Sequence, residues 1–217
     1  MATRWAKSEA GDNDRQMQEV YNAEHKVDWG KYGARRDAGN GELEDVWEYV
    51  YRLMRRQSFA RRYPKTHSRL RASHKMKPER FTPYGRCVYV QGIVVDKSSP
   101  YWNRSVGLRI EPKARGGGAN RSHIALDRNW ARQKWIIIHE LAHVVDHHEN
   151  GDPHTLDHQG HGWQFCSIYL TLVGMAFGAD AKKELRECFK NGNVRYLRPR
   201  GAKNLRPNED PNRTWVV

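Results

Sequence analysis

Cysteine is scarce in this chain of 217 residues, and long apolar runs are absent. The three cysteines, Cys87, Cys166 and Cys188, lie far apart, and none belongs to a CxxC pair. This pattern excludes a disulfide scaffold and a cysteine-built zinc ribbon, and it favours a reducing compartment. Apolar residues make up only 38% of the chain. We therefore expect a modest core and a long polar periphery.

Hydrophobic targeting segments are missing as well. No apolar stretch approaches the roughly 20 residues that span a membrane, and the N-terminal sequence MATRWAKSEAGDNDRQ contains no apolar signal-peptide segment. The expectation is a soluble, cytoplasmic protein with no membrane partner. The length allows one domain with extensions, or at most two small domains.

Acidic residues are fewer than basic ones, 25 against 38, and the net charge is +13. Residues 52–80 contain eleven Lys or Arg and one acid, and residues 182–217 contain ten against four. Such blocks favour acidic partners, with nucleic acid first among them. A solvated basic surface would have the same composition, so charge alone names no partner.

The hydrophobic periodicity predicts helices towards both ends and short strands between them. Residues 1–11 are expected to be disordered. The predicted helices cover residues 12–26, 42–63, 130–148, 162–177 and 180–191, and Pro64 is expected to end the second of them. Three or four strands are predicted within "THSRLRAS", "RCVYVQGIVV", "VGLRI" and "SHIAL", whereas "KARGGGANRS" is predicted to be a flexible loop.

The most apolar predicted helix carries an unusual set of polar side chains, within KWIIIHELAHVVDHHE at residues 134–149. His139 and His143 fall within roughly 40° of each other on one helix face, so both imidazoles can bind one ion. Glu140 points to the side, where it can reach a water on the metal. This HExxH pattern predicts a zinc site with a general base. The competing interpretation is a pair of hydrogen-bonded core histidines.

A zinc site needs a third protein ligand. The extended pattern HExxHxxGxxH fails, because Asp146 and Glu149 occupy its last two positions. A glutamate ligand is disfavoured, because no glutamate lies between Glu149 and Glu184. The remaining candidates are histidines.

His161 is the favoured third ligand. It begins "HGWQF", immediately before the next apolar helix, and a ligand at the start of a packed helix is held more rigidly than one in a loop. His154 and His158, both in the preceding loop, are the alternatives. Asp157 and Asp146 could orient ligand imidazoles, or they could be ordinary loop and helix-end residues.

The combination of HELAH with a downstream HGxxF resembles the SprT-like zinc metallopeptidases. In that family the histidine of the HG pair is the third ligand, and it corresponds to His161. Residues 12–195 are also similar to a metallohydrolase family of actinobacteria and their phages, on the landmarks "DRQMQEVYNAE", "RRYP", "IALDRNWARQKWIIIHELAH" and "HGWQFCSIYLTLV…FG". The resemblance implies His139, His143 and His161 as zinc ligands and Glu140 as base. The chain departs from SprT-like proteins in lacking a zinc ribbon and in the segment 96–121.

Together these observations predict an α+β, zincin-like fold. A small, mostly antiparallel sheet of three to four strands would pack on the central HExxH helix, with further N- and C-terminal helices. The metallohydrolase domain would span residues 12–195, after a disordered N-terminus (1–11) and before a basic tail (196–217). Within it we expect N-terminal helices at 12–63, the sheet and zinc helix at 64–150, and C-terminal helices at 161–192.

The predicted function is a zinc-dependent metallopeptidase in the cytoplasm, or in the host cytoplasm if a phage encodes it. Glu140 would take a proton from the attacking water and pass it to the leaving amine. The peptide would lie extended along a sheet edge, with "SHIALD" as the expected strand. The basic segments would recruit nucleic acid.

Two alternatives stay open at this stage. One is a zinc-dependent nuclease, or another hydrolase acting on nucleic acid, which the basic block at 52–80 favours. The other is a nucleic-acid-binding protein with a purely structural zinc site. Glu140 disfavours this last interpretation, because a structural site needs no adjacent base.

Overall fold

The computed structural model describes residues 4–67, 87–90, 93–96, 109–113, 115–119, 123–127, 130–151 and 160–197. The chain groups into two compact units, one formed by Met1–Tyr32 with Asn150–Val217 and the other by Gly33–Glu149. The N-terminal helix therefore groups with the C-terminal helices, whereas the predicted layout placed it with the helices of 12–63. None of the helices in the described segments is long and apolar enough to cross a bilayer.

The first unit is helical. It contains α1 (Arg4–Lys26), α5 (Trp163–Phe177) and α6 (Ala179–Asn191), and α6 packs against both of the others. Its buried apolar side chains come from all three helices and include Val20, Ala23, Phe165, Leu172, Leu185 and Phe189. The helix α1 begins at Arg4 and not at Asp12, so it includes residues 4–11 of the segment that was expected to be disordered. The segment RWAKSEAG lacks proline and is rich in helix-favouring Ala, Lys and Glu.

A carboxylate on α6 fixes the segment that follows α1. The hydroxyl of Tyr32 donates a hydrogen bond to Glu184 Oε2 at 2.6 Å, and the Asp28 N–H donates to Glu184 Oε1 at 2.7 Å. Both bonds favour the ionised carboxylate, so they hold the pKa of Glu184 below its ordinary value. The same contact raises the pKa of Tyr32. These bonds tie residues 28–32 to the helical core of the first unit.

The helices of the second unit differ from the prediction in one respect. Residues 42–63 were predicted as one helix, but they form α2 (Leu43–Met54) and α3 (Gln57–Arg62). The break lies at Arg56, whose ψ of 138° is extended. Pro64 begins a further helical turn over residues 64–67, a position that suits proline because its missing N–H would have no helical partner there. The buried face of α2 follows the predicted periodicity, with Val46, Trp47, Val50, Leu53 and Met54.

Among the described residues, the sheet of the second unit has five strands: β1 (Cys87–Val90), β2 (Ile93–Asp96), β3 (Arg109–Pro112), β4 (Gly117–Ala119) and β5 (His123–Leu126). Their order is β2-β1-β3-β5-β4. The β3–β5 pair is parallel, and the other pairs are antiparallel. Helix α2 packs against β1 and β3. The mixture of helices with a mostly antiparallel sheet confirms the α+β class, with more strands than the predicted three to four.

Two details of the predicted sheet were wrong, and a third falls largely outside the described residues. The strand β4 falls inside "KARGGGANRS", which was predicted to be a loop. The strand "SHIALD" was expected at a sheet edge, but β5 pairs with β3 on one side and β4 on the other. Of the predicted strand "THSRLRAS", residues 66–67 belong to a helical turn, and residues 68–73 lie outside the described residues.

Candidate metal centre

The helix α4 (Lys134–Asn150) carries the HExxH motif in the second unit. Its first two N–H groups donate to the carbonyls of Arg36 and Ala34, each at 3.1 Å, so backbone hydrogen bonds hold the start of the helix. The predicted burial is confirmed, because α4 buries residues around most of its circumference: Ile136, Ile137, Ile138, His139, Glu140, Leu141, Ala142, Val144, Val145 and Asp146. The motif is therefore set into a firmly packed helix.

His139 and His143 lie one turn apart on α4. Their ring centroids are 5.1 Å apart, and the two ring planes meet at 67°. His139 is 4% exposed and His143 is half-buried. This is the placement that the spacing of four residues predicted. An edge-on pair of imidazoles on one face can direct two nitrogens towards a common point.

His161 lies in the first unit, two residues before α5. Its ring makes edge contacts with Tyr21, at a centroid distance of 5.3 Å, and with Phe165, at 4.8 Å. Its carbonyl oxygen accepts a hydrogen bond from the buried Cys166 thiol at 3.5 Å. These contacts fix the imidazole beside the start of the helix, and such support is what a metal ligand requires.

His139, His143 and His161 form a group that could hold a metal ion. Each residue offers one ring nitrogen, and the three nitrogens lie within 4.8 Å of one another. Three imidazoles with no cysteine suit zinc, copper, iron or nickel better than magnesium or calcium, which prefer oxygen ligands. The donor set therefore fits the zinc ion that the motif predicted, and it does not single zinc out among these metals.

Glu140 is buried beside the glycine-rich strand β4, with 7% of its surface exposed. A Cβ atom added at Gly117 would meet Glu140 Oε1 at 2.4 Å, Cδ at 3.1 Å and Cγ at 3.3 Å. The carboxylate thus lies directly against the backbone of β4. This contact was not predicted from the sequence, although glycine within a strand often marks a close approach by another group.

The other candidates have different positions. His154, His158 and Asp157 lie outside the described residues. Asp146 is on α4 and is buried. The remaining histidines of α4, His147 and His148, are half-buried and contact each other edge-on.

Comparison with known proteins gives no relative for this chain. No family model matches it, and neither the curated proteins nor the solved structures contain a match. The resemblance to SprT-like peptidases therefore stays a prediction based on the motifs.

Proposed function

We propose that this chain is a zinc-dependent peptidase with a zincin-like arrangement of sheet and HExxH helix. One observation carries the proposal: three imidazole nitrogens are grouped within 4.8 Å, and the buried helix that supplies two of them also carries a buried carboxylate at Glu140. Two ligands and a base on one helical turn are the elements that metallopeptidases of this class require.

In this proposal His139, His143 and His161 hold the metal. When bound, zinc supplies Lewis acidity, which polarises the scissile carbonyl and makes a water molecule more acidic. The protein must present neutral imidazoles in fixed orientations. The packing of α4 supports His139 and His143, and the contacts with Tyr21 and Phe165 support His161.

Glu140 is the general base. Its carboxylate accepts a proton from the attacking water and then delivers that proton to the leaving amine nitrogen. The low exposure of Glu140 keeps bulk water away from the carboxylate, which strengthens its interaction with nearby positive charge.

The composition of the site favours a peptidase over the alternatives. Nucleases commonly recruit metal ions with carboxylates, whereas the group found among the described residues consists of imidazoles. A purely structural zinc site would not require a base directly beside a ligand, whereas Glu140 follows His139 on the same buried helix.

Metal removal provides the direct test. We expect the purified protein to cleave an unfolded protein substrate such as casein, to lose that activity on dialysis against a zinc chelator, and to regain it when zinc is added back. Circular dichroism before and after chelation controls for unfolding. Hydrolysis that survives complete removal of the metal would contradict the proposal.

We propose the cytoplasm as the location of the protein. Among the described residues, Cys166 and Cys188 form no disulfide, as expected in a reducing compartment. If a phage encodes the chain, the location is the cytoplasm of its host.

A second function is supported by an exposed basic surface, and we propose that this surface recruits nucleic acid. It lies on the end of α2, on α3 and on the turn that follows, and its exposed cations are Arg52, Arg55, Arg56, Arg61, Arg62 and Lys65. No acidic residue occurs between Glu48 and residue 67. Glu48 pairs with Arg52 at 2.7 Å, and the Glu149 carboxylate accepts hydrogen bonds from Thr66. The other exposed arginines still give this surface an excess of positive charge, which suits the phosphate backbone.

Salt dependence measures this recruitment. The logarithm of the binding constant for duplex DNA should fall linearly with the logarithm of salt concentration. The slope should be about −0.9 per phosphate contacted. The double variant Arg61→Gln/Arg62→Gln should reduce the magnitude of that slope by about 2. The control, Arg15→Gln, removes an exposed arginine on α1 that pairs with Glu19. Equal slopes for wild type and the double variant would show that this surface does not contact DNA.

A further inference from the structure

We infer that Gly117 is a positioning residue for Glu140: the absent side chain at this position of β4 leaves the space in which the carboxylate lies. The inference rests on the proposed function in treating Glu140 as the base. The contact itself is independent of any activity. The contact is shown by the 2.4 Å separation between Glu140 Oε1 and the place where a Cβ of residue 117 would be.

The backbone of β4 cannot withdraw to make room for a side chain. On one side Gly116 is fixed by Asp127, a buried residue whose carboxylate accepts the Gly116 N–H and whose own N–H donates to the Gly116 carbonyl at 2.9 Å. Antiparallel pairing with β5 places Gly117 opposite Leu126.

The backbone of α4 is equally fixed, because the turns on either side of Glu140 are buried. A side chain at position 117 would therefore displace the Glu140 carboxylate and leave both backbones in place. The Glu140 Oε1 atom would have to move until its distance from the new Cβ rose from 2.4 Å to an ordinary contact of at least 3.4 Å. A shift of about 1 Å in a catalytic group can lower the rate by about 100-fold.

The neighbouring Gly118 is a matched control. Successive residues of a strand point to opposite faces, and a Cβ at Gly118 would meet Lys113 Nζ at 2.8 Å and not Glu140. Lys113 is exposed, so the end of its flexible side chain can move into solvent. Neither glycine has the positive φ of its neighbour Gly116, and so alanine at either position introduces no backbone strain.

The first experiment compares Gly117→Ala with Gly118→Ala. We expect kcat to fall about 100-fold for Gly117→Ala, with KM and zinc content close to wild type, and less than about threefold for Gly118→Ala. A crystal structure of Gly117→Ala should show the Glu140 carboxylate displaced, with α4 and β4 in place. An undisplaced carboxylate, or equal kcat values for the two variants, would overturn the inference.

A stability cycle keeps the inference testable if Gly117→Ala folds poorly. Glu140→Ala removes all three atoms that the added Cβ meets. Any loss of melting temperature caused by Gly117→Ala should therefore disappear in the Glu140→Ala background, and an undiminished loss would overturn the inference. An inactive wild type would refute the proposed peptidase, while the crystal structure and the stability cycle would still decide whether Gly117 positions Glu140.

Discussion

Replacement of Glu140 by glutamine should abolish most hydrolysis without removing the metal. Glutamine has nearly the size and shape of glutamate, but its amide cannot take a proton from water. We expect kcat to fall by a factor of about 10²–10⁴, the usual contribution of a general base. KM, zinc content and melting temperature should stay close to those of the wild type, because the imidazoles and the packing of α4 are unchanged. Peptide cleavage by the variant is measured against its zinc content.

Glu149→Gln is the matched control for this substitution. Glu149 lies on the same helix, but its carboxylate accepts hydrogen bonds from the N–H and the hydroxyl of Thr66, both at 2.9 Å. This change should affect stability and leave kcat near wild type. Wild-type hydrolysis by Glu140→Gln would exclude Glu140 as the base and leave the histidine group with a binding or structural role.

Loss of any one of the three histidines should release the metal. Mutation of residues that merely orient a ligand costs about 10- to 100-fold in metal affinity, so removing a ligand should cost more than about 100-fold. We expect His143→Ala and His161→Ala to bind zinc weakly and to lack hydrolytic activity. Zinc affinity is measured by competition with a chromophoric chelator.

Two other histidines serve as controls. His148→Ala alters a half-buried histidine of the same helix that contacts His147. His158→Ala alters one of the two loop histidines that the sequence left open as third ligand. Both variants should bind zinc like the wild type. If His158→Ala loses the ion and His161→Ala retains it, the third ligand is wrongly assigned.

The local part of the site could be predicted from the sequence. A spacing of four residues places two side chains on one face of any α-helix, so His139 and His143 needed no knowledge of the fold. The burial of α4 followed from three successive isoleucines and the apolar residues after the motif. His161 was harder, because a loop separates it from α4. Only its place at the start of the next apolar helix, together with the SprT-like pattern, favoured it over His154 and His158.

The parts that depend on distant packing could not be predicted. The strand β4 consists of Gly117, Gly118 and Ala119, residues with little intrinsic strand preference. Pairing with β5 makes this segment a strand, and that pairing is not visible in local composition. Because β4 pairs with β5, β5 is an interior strand and not an edge strand. The close contact between Gly117 and Glu140 joins residues far apart in the sequence, so the glycines can indicate a close approach but not the residue that makes it.

The local periodicity of apolar residues also could not predict where helical segments break. The apolar spacing of residues 43–54 was read correctly, but Arg56 adopts an extended conformation that ends the run early. Pro64 was expected only to end a helix, whereas it begins a new turn that Glu149 caps through Thr66. Such caps depend on which carboxylate the fold brings close.

Metal analysis of the purified protein determines whether the three imidazoles bind one metal ion. The protein should be expressed without a histidine tag in zinc-supplemented medium, and its metal content should be measured by inductively coupled plasma mass spectrometry. We expect one zinc ion per chain in the wild type and in His148→Ala, and none in His143→Ala. A folded wild-type protein that contains no metal would contradict this expectation.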